Sequence, residues 1–172
     1  MKKVILILLI VLSLFMVTGC GKKEEPKKEE PVLADDEVIL EGIMYKLDQD
    51  DTGYGIKYKV ASNFRKSVYV NAINYFSEKI DDNEYFVFRI FHYKNSTIEK
   101  AIKDTTTEYD NRYDTKVGEL DYTVVHFVNP IGDHVETTLY YHKHKKDIYV
   151  FCFTSAIDTK RLENIFLTNI VY

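Results

Sequence analysis

Apolar and polar side chains alternate with period two along most of the chain beyond Val38, and that pattern limits its architecture more than any other feature. Ile39, Ile43, Tyr45 and Leu47 fall on one face of an early strand, with Glu41 interrupting. Tyr54, Ile56, Tyr58 and Val60 alternate with Gly55, Lys57 and Lys59, as a half-buried strand requires. After a loop at Asn63 to Lys66, Val68 to Phe76 and Tyr85 to His92 read as two further strands around Asp81-Asp82-Asn83. Leu120 to Val128, Val135 to His144 and Ile148 to Ser155 read as three more. Asn129-Pro130-Ile131-Gly132-Asp133 and Lys145-Lys146-Asp147 supply the turns between them. The chain holds 14 tyrosines and 10 phenylalanines, and such aromatics favour pleated, half-buried surfaces.

Two segments carry a helical period instead. Ser96-Thr97-Ile98-Glu99 has capping-box spacing, with Ser96 placed to accept from the Glu99 amide. Ile98, Ala101, Ile102, Thr105 and Tyr109 then share one face, which predicts a helix ending near Tyr113 before a turn at Gly118. Asp158 is placed to cap a second helix bearing Leu162, Ile165 and Phe166, and Ile170-Val171-Tyr172 reads as a short closing strand. Hairpin-length connections imply antiparallel pairing. The expected fold is α+β over residues 37–172, an antiparallel sheet of about seven strands packed with two amphipathic helices.

The segment ahead of this domain obeys different rules. Lys2 and Lys3 precede a run of 14 residues, Val4 to Val17, apolar except for Ser13. As a helix that run reaches only about 21 Å, short of the ~30 Å hydrocarbon core. It fits the h-region of a secretory signal peptide over residues 1–19. Val17-Thr18-Gly19-Cys20 resembles a bacterial lipobox. That resemblance implies cleavage after Gly19 and a diacylglyceryl group, palmitate-like in its chains, on Cys20. One acyl chain binds reversibly, whereas two give a gross term on the order of 20 kcal/mol at ~0.8 kcal/mol per methylene. Lys2 and Lys3 mark the cytoplasmic side. The expected location is the cell membrane, lipid-anchored, with the domain on the extracytoplasmic side.

Lys22-Lys23-Glu24-Glu25-Pro26 is followed by its repeat, Lys27-Lys28-Glu29-Glu30-Pro31. A segment without an apolar side chain cannot bury a core. Residues 20–36 therefore read as a lipidated cysteine and a charged, disordered tether, with a reach of roughly 20–24 Å. Loss of Lys2 and Lys3 from 23 basic residues leaves 21 against 27 acidic ones, net −6. That balance argues against nucleic acid and anionic headgroups as partners. With Cys20 in a thioether, Cys152 stands alone, and Tyr149-Val150-Phe151-Cys152-Phe153 is apolar on both faces. Burial explains it without a redox role.

The mature region resembles the PsbP-like family. The resemblance rests on Gly53-Tyr54-Gly55-Ile56-Lys57-Tyr58 with Asn63-Phe64, on the helix after Ser96, and on one hairpin. That hairpin runs from Thr137-Thr138-Leu139-Tyr140-Tyr141 to Tyr149-Val150-Phe151-Cys152-Phe153-Thr154-Ser155. It spans most of residues 53–172 and implies a shared fold with varied roles. No catalytic residue carries over, because fold does not imply function.

Three constellations could carry chemistry. Asp48, Asp50 and Thr52, with Gly53, match the start of a calcium loop, but Lys59 stands where the bidentate glutamate belongs, so a hairpin turn is the expectation. His142 and His144 share one face of a strand, exposed beside the Lys145-Lys146 turn, and a metal would need further ligands such as His126 or His134. Tyr54, Tyr58, Tyr122, Tyr140, Tyr141 and Tyr149 could stack glycans or peptides, though most are expected to pack inside. No zinc-protease motif, phosphate loop or nucleophile elbow is present in the sequence. Cys20 is the one assigned site, by lipidation, and no catalytic residue, metal or cofactor is assigned. The sequence points to a non-catalytic binding or envelope-assembly module with a protein or envelope-polymer partner. The alternative is a metal-dependent envelope enzyme using surface histidines.

Overall fold

The computed structural model describes residues 32–40, 42–51, 54–77, 85–128, 135–155 and 159–172. The expected signal peptide, the charged repeat, Thr52, Gly53, His134 and Asp158 lie outside them. β1 (Glu37–Leu40), β2 (Ile43–Asp51) and β3 (Lys57–Ala61) form a three-stranded sheet in that order. A seven-stranded sheet holds β4 (Arg65–Val68), β5 (Ala72–Phe76), β6 (Phe86–Tyr93), β7 (Asn111–Val117), β8 (Leu120–Val128), β9 (Glu136–His144) and β10 (Asp147–Thr154). Its order is β4-β5-β6-β10-β9-β8-β7, antiparallel throughout. The helices are α1 (Ile98–Thr105) and α2 (Lys160–Thr168). The α+β expectation stands, with the strands divided between two sheets.

Local details differ where the chain folds back. The early strand is a hairpin, with Leu40 opposite Ile43 and Gly42 at φ 78°. The turn resets the alternation, so Val38, Leu40, Tyr45 and Leu47 are the buried set. The strand expected from Val68 to Phe76 is likewise two, joined by a turn in which the Tyr69 amide donates to the Ala72 carbonyl. β4 begins at Arg65, inside the expected loop.

α1 stops at Thr105, eight residues before Tyr113, and residues 111–117 form β7. Thr105, Thr106 and Thr107 are β-branched and stiff at χ1, which weakens helix. The Thr105 hydroxyl turns back to the Ala101 carbonyl at 2.8 Å. The cap is Thr97, not Ser96: its Oγ1 accepts from the Lys100 amide at 3.2 Å. Thr159 precedes α2 without a side-chain capping bond, its hydroxyl donating to the Thr154 carbonyl instead. The closing strand reduces to a bridge between Val171 and Lys57. Among the described residues no helix is long and apolar enough to cross a membrane.

Alternation gives the large sheet two covered faces. Ala101 and Ile102 of α1 pack on Val125, Leu139, Tyr141, Ile148, Val150 and Cys152. The opposite face meets α2 and the small sheet around Phe166, whose ring lies 4.9 Å from Tyr58 and Phe88 and 5.3 Å from Phe151. Cys152 is thus closed under α1, and burial pushes its thiol up to about 12. A maleimide at neutral pH should leave Cys152 of the folded protein unmodified and label it in denaturant. Rapid labelling of the native protein would contradict this packing.

Candidate functional site

The end of β6, the start of β10, the β4–β5 turn and the loop into α1 meet at one end of the large sheet. His92, on β6, is 8% exposed, and its Nε2 lies 2.9 Å from Asp147 Oδ2 at the start of β10. The other Asp147 oxygen accepts from the Asn95 amide at 3.0 Å. Asn95 sits in the left-handed region, φ 48°, which aims that amide inward. The Asn95 amide first, and His92 second, hold the Asp147 carboxyl below the usual carboxylate range. The Ser96 amide donates to the Lys146 carbonyl, so the loop is also tied to the β9–β10 turn.

Aromatic packing fixes the imidazole from its faces. Tyr149 stacks on His92 at 4.7 Å and 12°, and Tyr54 tilts against it at 5.0 Å. The Tyr149 hydroxyl donates to the Tyr54 carbonyl at 2.8 Å, and the Tyr54 hydroxyl to the Tyr69 carbonyl at 3.2 Å. Beside this stack opens a cleft of about 700 Å³, walled by Tyr54, Asn71, His92, Lys94, Ser96 and Lys100, with Asp104 and Asp147 also in its lining. A neighbouring recess of about 480 Å³ shares Asp147 and adds His144, Lys145, Lys146, Tyr149 and Tyr172. Tyr172 stacks on His144 at 4.3 Å and 4°. Burial, then Lys145, then His142 lower the His144 pKa, which favours its neutral form.

Four lysines ring the two recesses, and hydrogen bonds hold the Tyr54 and Tyr149 rings in their walls, a surface suited to a polar ligand with a ring and an anionic group. Ser96, His92 and Asp147 share one cleft, yet Ser96 Oγ is buried with no hydrogen bond to the imidazole. Without that bond the hydroxyl is not activated as a nucleophile.

The residues singled out in the sequence distribute unevenly. Tyr54 and Tyr149 reach the cleft, whereas Tyr58, Tyr122 and Tyr141 are core residues. The Tyr140 hydroxyl donates to the half-buried Glu163 carboxylate, whose pKa is raised by burial. His142 and His144 do share a face, but it is the inner one. His142 is 8% exposed, with Nδ1 2.8 Å from the Asp121 carbonyl, so the expected exposed histidine face is not there. His126 lies 3.8 Å from Glu136. Among the described residues no three His, Cys, Asp or Glu side chains are grouped to hold a metal. Asp48 and Asp50 lie within β2 and pair with Val60 and Tyr58, and Asp51 pairs with Lys57, so the hairpin expected at Asp50 to Gly53 reverses between Asp51 and Lys57, with its first two residues still in the strand. His92, Asp147, Lys94 and Lys100 escaped the sequence reading because topology alone unites them; Asp147 was legible only as a turn residue.

No family model matches the chain, and no curated protein does. A 1.50 Å crystal structure of a protein from Bacteroides thetaiotaomicron VPI-5482 is similar at 15% identity and a TM-score of 0.47. The similarity covers 67% of this chain and 44% of that one, so this chain spans less than half the length of that protein.

Proposed function

We propose that this chain is a lipid-anchored extracytoplasmic binding module, without catalytic activity, that engages an envelope polymer through the cleft at Tyr54, Lys94 and Lys100. The observation that carries the reading is where the chain enters its domain. Arg161, near the start of α2, donates to the Ala34 and Glu37 carbonyls at 2.6 and 2.7 Å. α2 follows the end of β10, whereas the cleft lies at the start of β10. The eight residues of β10 separate the two ends by roughly 26 Å at ~3.3 Å per residue. A domain attached through Ala34 therefore carries its cleft at the end remote from the attachment point, where the tether does not obstruct it. The metal-dependent alternative has no grouped ligands among the described residues to support it.

The test is co-sedimentation of the full chain, in detergent, with isolated envelope polymer. Lys94→Ala/Lys100→Ala should weaken binding by about tenfold, the equivalent of ~1.4 kcal/mol. Lys46→Ala, on an exposed side chain of β2, should leave it unchanged. Equal binding by both variants, or no binding by the parent, would remove the cleft from the proposal.

A further inference from the structure

β7 ends the seven-stranded sheet, and among the described residues no strand pairs with its outer edge. It joins β8 through the two-residue turn Gly118-Glu119, with Val117 opposite Leu120 and Gly118 at φ 60°. Only the first turn residue has positive φ, the arrangement that closes a hairpin on a hydrogen-bonded pair. Hydrogen-bonded and open pairs alternate from there. The backbone groups of Val117, Thr115, Tyr113 and Asn111 therefore turn towards β8. Those of Lys116, Asp114 and Arg112 turn outward.

The side chains on those outward residues share the α1 face of the sheet. The Arg112 guanidinium holds Glu99 of α1 through a fork at 2.5 and 3.0 Å, and Asp114 accepts from the Thr123 hydroxyl at 2.7 Å. Tyr113 stands on the other face, 46% exposed. Charged side chains ordinarily keep an edge strand from pairing. Here the order matters more than the presence of charge: Asp110, Arg112, Asp114 and Lys116 alternate in sign at every second position.

We propose that β7 is a self-complementary edge through which two copies of this chain join their large sheets, antiparallel, about a two-fold axis at Tyr113. In that register Arg112 faces Asp114 of the second copy, and Asp110, just ahead of β7 and tied to β8 by its amide on the His126 carbonyl and its carboxylate on the Val128 amide, comes opposite Lys116 with its second carboxylate oxygen. The outward backbone groups of Arg112 and Asp114 exchange hydrogen bonds, and Tyr113 meets its equivalent in an open pair. The contact is isologous and closes after two copies. Moving the axis to Asp114 sets Arg112 against Lys116 and Asp114 against itself. Moving it to Arg112 sets Arg112 against itself and Asp110 against Asp114. A one-residue slip puts the outward donors and acceptors out of phase. The fork to Glu99 uses part of the five-donor guanidinium, and a carboxylate has a second oxygen, so neither intramolecular contact must break.

Single-cysteine variants of the full chain in detergent, mildly oxidised, read the register directly. Across an open antiparallel pair the Cα atoms lie about 4.5 Å apart, within disulfide reach, while a residue one position off the axis is offset from its equivalent by two residues along the strand, beyond the ~7 Å limit. Tyr113→Cys should form a disulfide dimer at least about tenfold faster than Arg112→Cys, Asp114→Cys or the parent chain. Adding Lys116→Glu to Tyr113→Cys should slow it several-fold, because that change opposes Asp110 of the second copy. Exposed Lys46→Glu should have no effect. Uniform crosslinking along the strand, a maximum at Arg112 or Asp114, or indifference to Lys116→Glu would overturn the proposal.

Discussion

Phe166→Ala should cost about 3–5 kcal/mol, because it opens a cavity where three layers meet. The ring is fully buried, on α2, and contacts Tyr58 from the small sheet together with Phe88, Phe151 and Phe153 from the large one. Those neighbours lie on three strands, β3, β6 and β10, each held by its pairing register, so collapse around the vacancy is limited. A single domain is stable by only about 5–15 kcal/mol, so the variant should lose at least about a fifth of that margin. Urea unfolding of the full chain in detergent measures it, as a lowered midpoint at unchanged slope. Thr115→Ala, on the edge strand, should stay within about 0.5 kcal/mol of the parent. A loss below ~1 kcal/mol for Phe166→Ala would mean that α2 does not bind the two sheets together as described.

Phe166 also shows why the layer arrangement was readable from the chain while the sheet division was not. Leu162, Ile165 and Phe166 repeat at helical spacing, so a buried stripe followed from sequence alone. β8, β9 and β10 were equally legible, since each is a run rich in β-branched and aromatic residues between evident turns. The early hairpin was not, because the chain folds back at Gly42 between two segments that both alternate, and period two has no mark for a reversal. The end of α1 failed for a related reason. Tyr109 continues the helical spacing, but the threonines before it favour extended backbone, and pairing with β8 then takes residues 111–117.

The cleft was the least legible part. His92 and Asp147 are 55 residues apart, and their hydrogen bond exists only because β6 pairs with β10. The histidines that sequence proximity favoured, His142 and His144, spend their faces on Tyr172 instead. Proximity along a strand thus identified a shared face but not the function of that face. Lys94 and Lys100 flank the α1 cap, and nothing in their local pattern distinguishes them from solvated lysines.

Cys20→Ala should abolish lipid anchoring, the largest single effect expected of any substitution in the chain. The proposed anchor rests on Val17-Thr18-Gly19-Cys20, and alanine has no sulfur to carry a diacylglyceryl group. Two chains contribute a gross term on the order of 20 kcal/mol, and one chain alone would bind only marginally. Intact cells separated into membrane and aqueous fractions give the readout, with labelled palmitate as a second one. The variant should either appear in the aqueous fraction or persist as a precursor that still carries residues 1–19 and is heavier by about 2 kDa. It should incorporate no palmitate in either case. Labelling that persists in Cys20→Ala would reject the lipidated cysteine outright. The proposed cleft gives the released form a second use: Ala34 enters beside α2, at the other end of the sheet from Lys94 and Lys100. Release from the membrane should therefore leave polymer binding by the soluble protein unchanged, and a parallel loss of binding would place the recognition surface at the anchored end instead.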